Sequence, residues 1–278
     1  MHDFLICYTI LLVFEAHTIK MPLIETFPLG KNQFILLPKQ SPWAPLNNSL
    51  DDHLDSTHKL FNPAYLKAEN LITNTATGRG TVYFFEAFQE QCVLRHYYRG
   101  GLIARLSKDT FIYPGLEKTR PFQELSLLTS LYNAGLKVAK PLAAKVTRSA
   151  FTYTADIITG AIDHAQELHD FILQSPLEPS VWKQIGATLR QMHDLQACHY
   201  DINVKNLLLQ QVPVEEAELA TINIYLLDFD GCKIRTGEQW KKANLERFKR
   251  SLEKQKAKFS TYYYDDDCWG FIEAGYHR

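Results

Sequence analysis

His199-Tyr200-Asp201-Ile202-Asn203-Val204-Lys205-Asn206-Leu207-Leu208 is the stretch on which the reading of this chain turns. It follows residues 179–195, which open on Pro179 and repeat Val181, Ile185, Leu189 and Met192 along one helical face. It precedes a short apolar run, residues 206–209, that reads as a strand. Between helix and strand a turn carries an aspartate and, a few residues on, an asparagine. A carboxylate on such a loop can orient a hydroxyl and take its proton, while the amide oxygen holds a divalent cation against phosphate oxygens. The same pattern, H-x-D-x-x-x-x-N, also suits a plain helix end with His199 packed and Asp201 capping a turn.

The second half of the pattern shifts that balance. Ile224-Tyr225-Leu226-Leu227-Asp228-Phe229-Asp230-Gly231 is an apolar strand that ends in Asp-Phe. It stands where the D-F-G of kinases stands relative to their catalytic loop. Asp-Gly is also a common turn pair. Two half-motifs in this order, each in the right strand context, point to ATP-dependent transfer of a phosphoryl group to a hydroxyl. Asp201 is then the base, and Asn206 and Asp228 are the expected ligands of Mg2+.

The N-terminal half offers the remaining parts. Gly78-Arg79-Gly80 lies between extended segments, where a glycine loop covers nucleotide phosphates; a hairpin turn fits it nearly as well. Cys92-Val93-Leu94-Arg95 aligns with the V-A-I-K strand of kinases, with Arg95 in the lysine's place. Arginine keeps the charge and grips phosphate bidentately, but it is not interchangeable with lysine, and a surface strand arginine is the competing reading. Glu124 sits early on a helix expected from Pro121, Phe122, Leu125, Leu128 and Leu131. It is the candidate partner of Arg95, or simply an acid favoured by the helix dipole. Residues 157–160 are expected to form a hinge whose backbone meets adenine.

Strands are expected at 81–85, 92–98, 102–106, 145–147 and 151–158, and helices at 164–173, 179–195 and 238–259. Residues 38–64 read as loop with one short helix, and the acidic stretch 262–267 as a mobile tail. Strands first and helices later predict an α+β, bilobal, protein-kinase-like fold: a small antiparallel β N-lobe and a mostly helical C-lobe. The expected boundaries are 1–20 for an N-terminal arm, 21–158 for the N-lobe and 159–278 for the C-lobe.

The formal net charge of −1 gives no whole-chain field for nucleic acid, and no nucleic-acid partner is expected. Cys7, Cys92, Cys198, Cys232 and Cys268 are scattered and odd in number, which argues against a disulfide framework or zinc site and for a reducing compartment. Residues 4–14 form an apolar run shorter than the roughly 20 residues of a transmembrane helix. They lack the preceding basic residues and following cleavage site of a signal peptide, so residues 1–20 are expected to be an upstream extension or loosely packed arm, with a membrane anchor as the competing reading.

Several features turn away from protein kinases. Tyr200 and Asn203 replace the arginine and lysine common there, about fifty residues follow Asp228, and no A-P-E occurs. The chain instead resembles the 3-deoxy-D-manno-octulosonic acid (Kdo) kinases of Gram-negative bacteria. The resemblance runs from about residue 78 to about residue 259. It is carried by Gly78-Arg79-Gly80, Leu94-Arg95-His96-Tyr97-Tyr98-Arg99-Gly100-Gly101-Leu102, and Gly115-Leu116-Glu117-Lys118-Thr119-Arg120-Pro121-Phe122. It continues through Gly135-Leu136-Lys137-Val138 with Pro141, the stretch 199–206, and Asp228-Phe229-Asp230.

That resemblance implies phosphorylation of the 4-hydroxyl of Kdo on a lipid A precursor, with Asp201 as the catalytic aspartate. It implies lipopolysaccharide core synthesis by a peripheral protein at the cytoplasmic face of the inner membrane. Residues 1–77 are poorly covered by it. The competing readings are another lipopolysaccharide sugar kinase (such as a heptose kinase), a small-molecule phosphotransferase, a pseudokinase that binds without catalysis, and a membrane-associated scaffold. The basic helix expected at 238–259 suits an anionic membrane surface or, equally, docking on the second lobe. Arg99, Lys118 and Arg120 are candidates for holding an anionic acceptor, or are plain surface charge.

Overall fold

Alternation of buried and open side chains builds the first half of the molecule. The computed structural model describes residues 24–278 apart from 40, 42, 44–49, 78–79, 101–107 and 213–220. Strands β1 (Ile24–Leu29), β2 (Gln33–Pro38), β3 (Ile72–Thr77), β4 (Thr81–Ala87), β5 (Glu90–His96), β6 (Phe111–Ile112), β7 (Pro141–Ser149) and β8 (Thr152–Gly160) form one antiparallel sheet. Its order is β1-β2-β7-β8-β5-β4-β3, with β6 pairing β8. The turn between β4 and β5 holds Phe88 and Gln89 at φ 50 and 63, the left-handed conformation that matches a two-residue hairpin to strand twist.

Period-two alternation gives the sheet two apolar faces. On one, Tyr97, Val146, Ala155 and Ile157 meet Leu125, Leu128 and Leu131 of helix α3 (Arg120–Asn133) in the main core. On the other, Phe85, Cys92, Leu94 and Ile158 are covered by Trp43, Leu60, Phe61 and Leu66. Helices α1 (Leu50–Lys59) and α2 (Pro63–Ala68) contribute Leu54 and Leu66 to that cover, and the turn between them contributes Leu60 and Phe61, where one short helix is expected. Asn62 caps α2 by accepting from the Ala64 N–H at 3.0 Å, and Pro63 follows at the first helical position.

The second half is helical around a small sheet. In order come β9 (Ala165–Glu167), α4 (Leu168–Gln174), α5 (Pro179–Asp194), β10 (Ala197–Cys198), β11 (Leu207–Val212), β12 (Thr221–Leu226), β13 (Lys233–Ile234), α6 (Gln239–Lys256) and α7 (Asp266–Tyr276). The architecture is the expected bilobal α+β one, with the large sheet and α3 in one lobe and these helices in the other.

Several local expectations are corrected. The β1–β2 hairpin is an addition the sequence reading does not anticipate, although Ile35, Leu36 and Leu37 are fully buried. Helix is expected from residue 164, but residues 165–167 pair with β11, and the helix starts at Leu168. Ala, Gln and Glu are good helix formers, so here tertiary pairing overrides propensity. The stretch 262–267 is no mobile tail. Tyr262 and Tyr264 are buried, Asp265 accepts from the Cys268 N–H at 2.9 Å as an N-cap, and Trp269, Ile272 and Tyr276 of α7 are buried. The strand expected at 102–106 and the apolar run 4–14 lie outside the described residues. Among the described residues no helix is long and apolar enough to cross a membrane.

Helices α5 and α7 cross at a pair of glycines. A Cβ on Gly186 would overlap the Ile272 carbonyl, and one on Gly275 would overlap the Lys183 carbonyl. Backbone cannot yield as a flexible side chain does. Gly270, on the open side of α7, has nothing near it. Gly186→Ala is therefore expected to cost about 2–4 kcal/mol and lower Tm by roughly 10 °C. Gly270→Ala gains helix propensity and is expected to raise Tm slightly. Thermal unfolding of the two variants checks the contrast in sign.

Candidate active site

The turn over residues 199–206 is held from several sides. β11 and β12 pair antiparallel with Leu207 opposite Leu226, and the Leu227 N–H donates to the Asn206 carbonyl at 2.9 Å. Residues far apart in sequence, Asn206 and Asp228, thus leave the same end of one hairpin. The Asn206 and Asn203 amide nitrogens each donate to the Asp201 carbonyl at 2.9 Å. The Asn206 Oδ1 consequently has no protein donor among the described residues and is left as an acceptor. Asp201 is exposed and its carboxylate reaches solvent.

His199 does structural work here. Its ring is fully buried, Nε2 donates to the Leu227 carbonyl at 2.8 Å, and it meets the Phe229 ring edge-on at 4.9 Å. Burial holds its pKa below the ordinary value, so the ring is neutral. Phe229 is buried while Asp228, one residue before it, is exposed. The chain makes that switch with Asp228 at φ 59, a conformation that costs a non-glycine residue and persists only where the surroundings impose it.

The N-lobe meets this turn through Arg95. Its Nη2 donates to Glu124 Oε1 at 2.5 Å, and its Nη1 stands 3.8 Å from Asp228 Oδ1. The other Glu124 oxygen accepts from the Tyr97 hydroxyl at 2.6 Å. Burial pushes the Glu124 carboxyl upward against the pull of Arg95. Burial likewise works against charge on Arg95, but Glu124, with help from Asp228, outweighs it and keeps the guanidinium protonated. The pair expected from sequence is thus formed, with Arg95 facing both Glu124 and Asp228. Tyr97 was not foreseen, although it stands two residues after Arg95 and so shares its face of the strand.

A second ion pair links α3 directly to the segment that follows β12. Arg120, at the start of α3, donates from Nε to Asp230 Oδ1 at 2.8 Å and from Nη2 to Asp230 Oδ2. Its guanidinium lies over Phe111 at 4.8 Å and over Tyr97 at 5.9 Å. Its backbone N–H donates to the Tyr153 hydroxyl at 3.0 Å. This corrects the reading of Arg120 as an acceptor-binding cation, because Asp230 takes its fork. Arg99 is also engaged inside the protein: its Nε donates to the Thr110 carbonyl at 2.5 Å. Lys118 lies exposed in the short turn before α3.

Of the glycine loop, Gly78 and Arg79 lie outside the described residues. Gly80 is accounted for by packing, since a Cβ there would overlap the Tyr98 ring. The hinge expected at 157–160 is corrected. Residues 157–159 are paired with β5 on one side and β7 on the other, and the Gly160 N–H donates to the Lys140 carbonyl at 2.8 Å. Backbone groups spent on a central strand's ladders are not free for adenine.

The donor chemistry of Asn206 and Asp228 suits a divalent cation: one amide oxygen without a protein donor among the described residues and one exposed carboxylate on a left-handed turn. Among the described residues no group of three or more His, Cys, Asp or Glu could hold a metal alone. Magnesium commonly takes one or two carboxylates and completes its shell with phosphate and water oxygens, which is what this pair allows.

Residues 64–274 match the model of a family described as the lipopolysaccharide kinase (Kdo/WaaP) family. The 3-deoxy-D-manno-octulosonic acid kinase of Haemophilus influenzae strain 86-028NP is 38% identical over 235 residues, covering 83% of this chain and 95% of that protein. The enzyme of the same name from Actinobacillus succinogenes is 39% identical over 232 residues, covering 82% and 94%. A solved structure, WaaP in complex with acyl carrier protein, aligns with TM-score 0.49 at 17% identity, covering 80% of this chain and 86% of that one.

The Arg120–Asp230 pair joins α3, which carries Glu124, to the segment that carries Asp228. If the pair sets their relative position, Arg120→Gln and Asp230→Asn each lower kcat/KM for ATP about 10- to 100-fold, and the double variant is no worse than either single one. Steady-state kinetics on the four proteins measure this. Losses that multiply would show that the two side chains act separately.

Proposed function

The chain belongs to the lipopolysaccharide kinase (Kdo/WaaP) family, and we propose that it transfers the γ-phosphoryl group of ATP to the 4-hydroxyl of Kdo on a lipid A precursor. The single observation that carries the chemistry is the hairpin end at which Asn206 and Asp228 emerge together, beside the turn that bears Asp201. The acceptor class comes from the relatives, which are Kdo kinases over most of both chains.

Asp201 accepts a hydrogen bond from the acceptor hydroxyl and orients it for in-line attack. The hydroxyl oxygen forms the new bond to the γ-phosphorus, the bond from that phosphorus to the β,γ-bridging oxygen breaks, and ADP leaves. The hydroxyl proton passes to Asp201. Magnesium, held by Asn206 and Asp228, would supply positive charge for the phosphate oxygens. We assign Arg95, fixed by Glu124, to grip phosphate from the N-lobe side, and Gly78, Arg79 and Gly80 to cover it. An arginine whose fork is half taken by a carboxylate is pre-oriented, which lowers the ordering cost of the phosphate contact.

Lys242, Arg250, Lys254, Lys256 and Lys258 are exposed on or just after α6, while Trp240, Phe248 and Leu252 dock it on the lobe. A docked helix with an open basic side supports a peripheral position on an anionic membrane, at the cytoplasmic face where ATP is available.

The test incubates the protein and ATP with Kdo-bearing and heptose-bearing lipid A precursors and follows a one-phosphate mass gain. The Kdo lipid is expected to react, with phosphate at the 4-position. Asp201→Asn is expected to lower kcat about 10³-fold while the fold stays intact, since the side chain is largely exposed. Phosphate on heptose alone, or full activity in Asp201→Asn, would overturn the proposal.

A further inference from the structure

The cation beside Asp201 comes from α6 rather than from the catalytic turn. Arg247 Nη1 stands 3.7 Å from Asp201 Oδ1, too far for a hydrogen bond, with the two side chains 52% and 65% exposed. Among the described residues the Arg247 guanidinium makes no hydrogen bond to a protein acceptor. The other arginines near the cleft differ: Arg95 is held by Glu124, Arg99 by the Thr110 carbonyl and Arg120 by Asp230. The turn itself supplies no cation toward Asp201. Asn203 is occupied internally, donating to the Asp201 carbonyl and accepting from the Lys205 N–H at 2.9 Å. Lys205 acts on Glu167 and His169, on the α4 side.

The helix that carries Arg247 is fixed in place. One turn before it, Asn244 donates from Nδ2 to the His199 carbonyl at 2.7 Å. One turn after it, the Ser251 hydroxyl accepts from the Val204 N–H at 3.0 Å. Phe248, its neighbour, is fully buried. The helix is thus pinned to the catalytic turn on both sides of Arg247, at the spacing that puts 244, 247, 248 and 251 along one face.

We infer that Arg247 forms an anion subsite of the acceptor pocket and receives the carboxylate of a sugar acid while Asp201 receives its hydroxyl. The inference rests on the proposed sugar-acid acceptor. A neutral sugar needs no guanidinium next to the base. In a 2-ulosonic acid the carboxylate is carried on C2, and a single ring carbon separates C2 from C4, so the two groups reach adjacent protein side chains from one ring. Arginine's planar fork matches a carboxylate bidentately. A phosphate on the glycolipid would present similar anion chemistry, so the test uses an acceptor without phosphate.

The experiment compares a soluble methyl glycoside of Kdo as the free acid and as its methyl ester, alongside the phosphate-bearing lipid precursor, with wild type, Arg247→Ala and Arg247→Lys. Wild type is expected to favour the acid over the ester about 10- to 100-fold in kcat/KM. Arg247→Ala is expected to lose that preference, and Arg247→Lys to keep part of it. Equal use of acid and ester by wild type overturns the inference, as does an unchanged preference in Arg247→Ala. An Arg247 effect seen only on the phosphate-bearing lipid assigns the anion to phosphate and overturns it too. Transfer to no Kdo acceptor at all removes the proposed function itself, and the subsite falls with it. Activity on the Kdo glycoside without acid preference removes only the subsite.

Discussion

The hydrogen bond from the Leu227 N–H to the Asn206 carbonyl closes the β11–β12 ladder, and the site is organised around that closure. It makes neighbours of an asparagine that ends one loop and an aspartate that begins another. His199 secures the same point by bonding the Leu227 carbonyl from a neutral, buried ring. With both polar groups of Leu227 committed, the next residue has little choice of direction. Asp228 takes a left-handed φ, its carboxylate turns outward, and Phe229 turns into the core. Strain at one residue is sustained by hydrogen bonds and burial at its neighbours.

The two lobes meet at this point through charge. Glu124 on α3 takes Arg95 and Tyr97, and Arg120 on the same helix takes Asp230. Breaking a partly buried pair of this kind leaves the surviving charge uncompensated, which is costlier than the pair is stabilising. The arrangement therefore specifies where α3 sits relative to Asp228 more than it adds to stability. A parallel bridge between Val138 and Leu226, with the Leu226 N–H donating to the Lys137 carbonyl at 3.0 Å, stitches the lobes through backbone as well. The turn is also held from α6, which Asn244 and Ser251 pin to His199 and Val204, while Arg247 between them makes no hydrogen bond to a protein acceptor among the described residues.

What could be read in the sequence follows from how local each signal is. The stretch 199–208 and the strand ending at Asp228 carry fixed spacing, so the meeting of Asn206 and Asp228 at one hairpin end could be expected from residue order. Arg95 and Glu124 could be paired because strand and helix are each periodic. Tyr97 shares the face of Arg95 and was within reach of the same argument. The Arg120–Asp230 pair joins residues 110 apart, and nothing local marks it. The same holds for β9, where a helix-favouring sequence is pulled into a ladder by β11, and for α7, whose acidic start reads as a tail until Asp265 is seen capping it. The hinge was misplaced because residues 157–160 look like the end of a lobe, whereas β8 runs through them as a central strand.

The convergence of Asn206 and Asp228 on one cation is tested most directly by titrating Mn2+ with a non-hydrolysable ATP analogue and reading bound metal by electron paramagnetic resonance. Asp228→Asn and Asn206→Ala are each predicted to weaken metal–nucleotide binding at least tenfold, and Asp201→Asn to leave it near the wild-type value. Wild-type binding in Asp228→Asn, or an equal loss in Asp201→Asn, would contradict the division of labour described for these side chains.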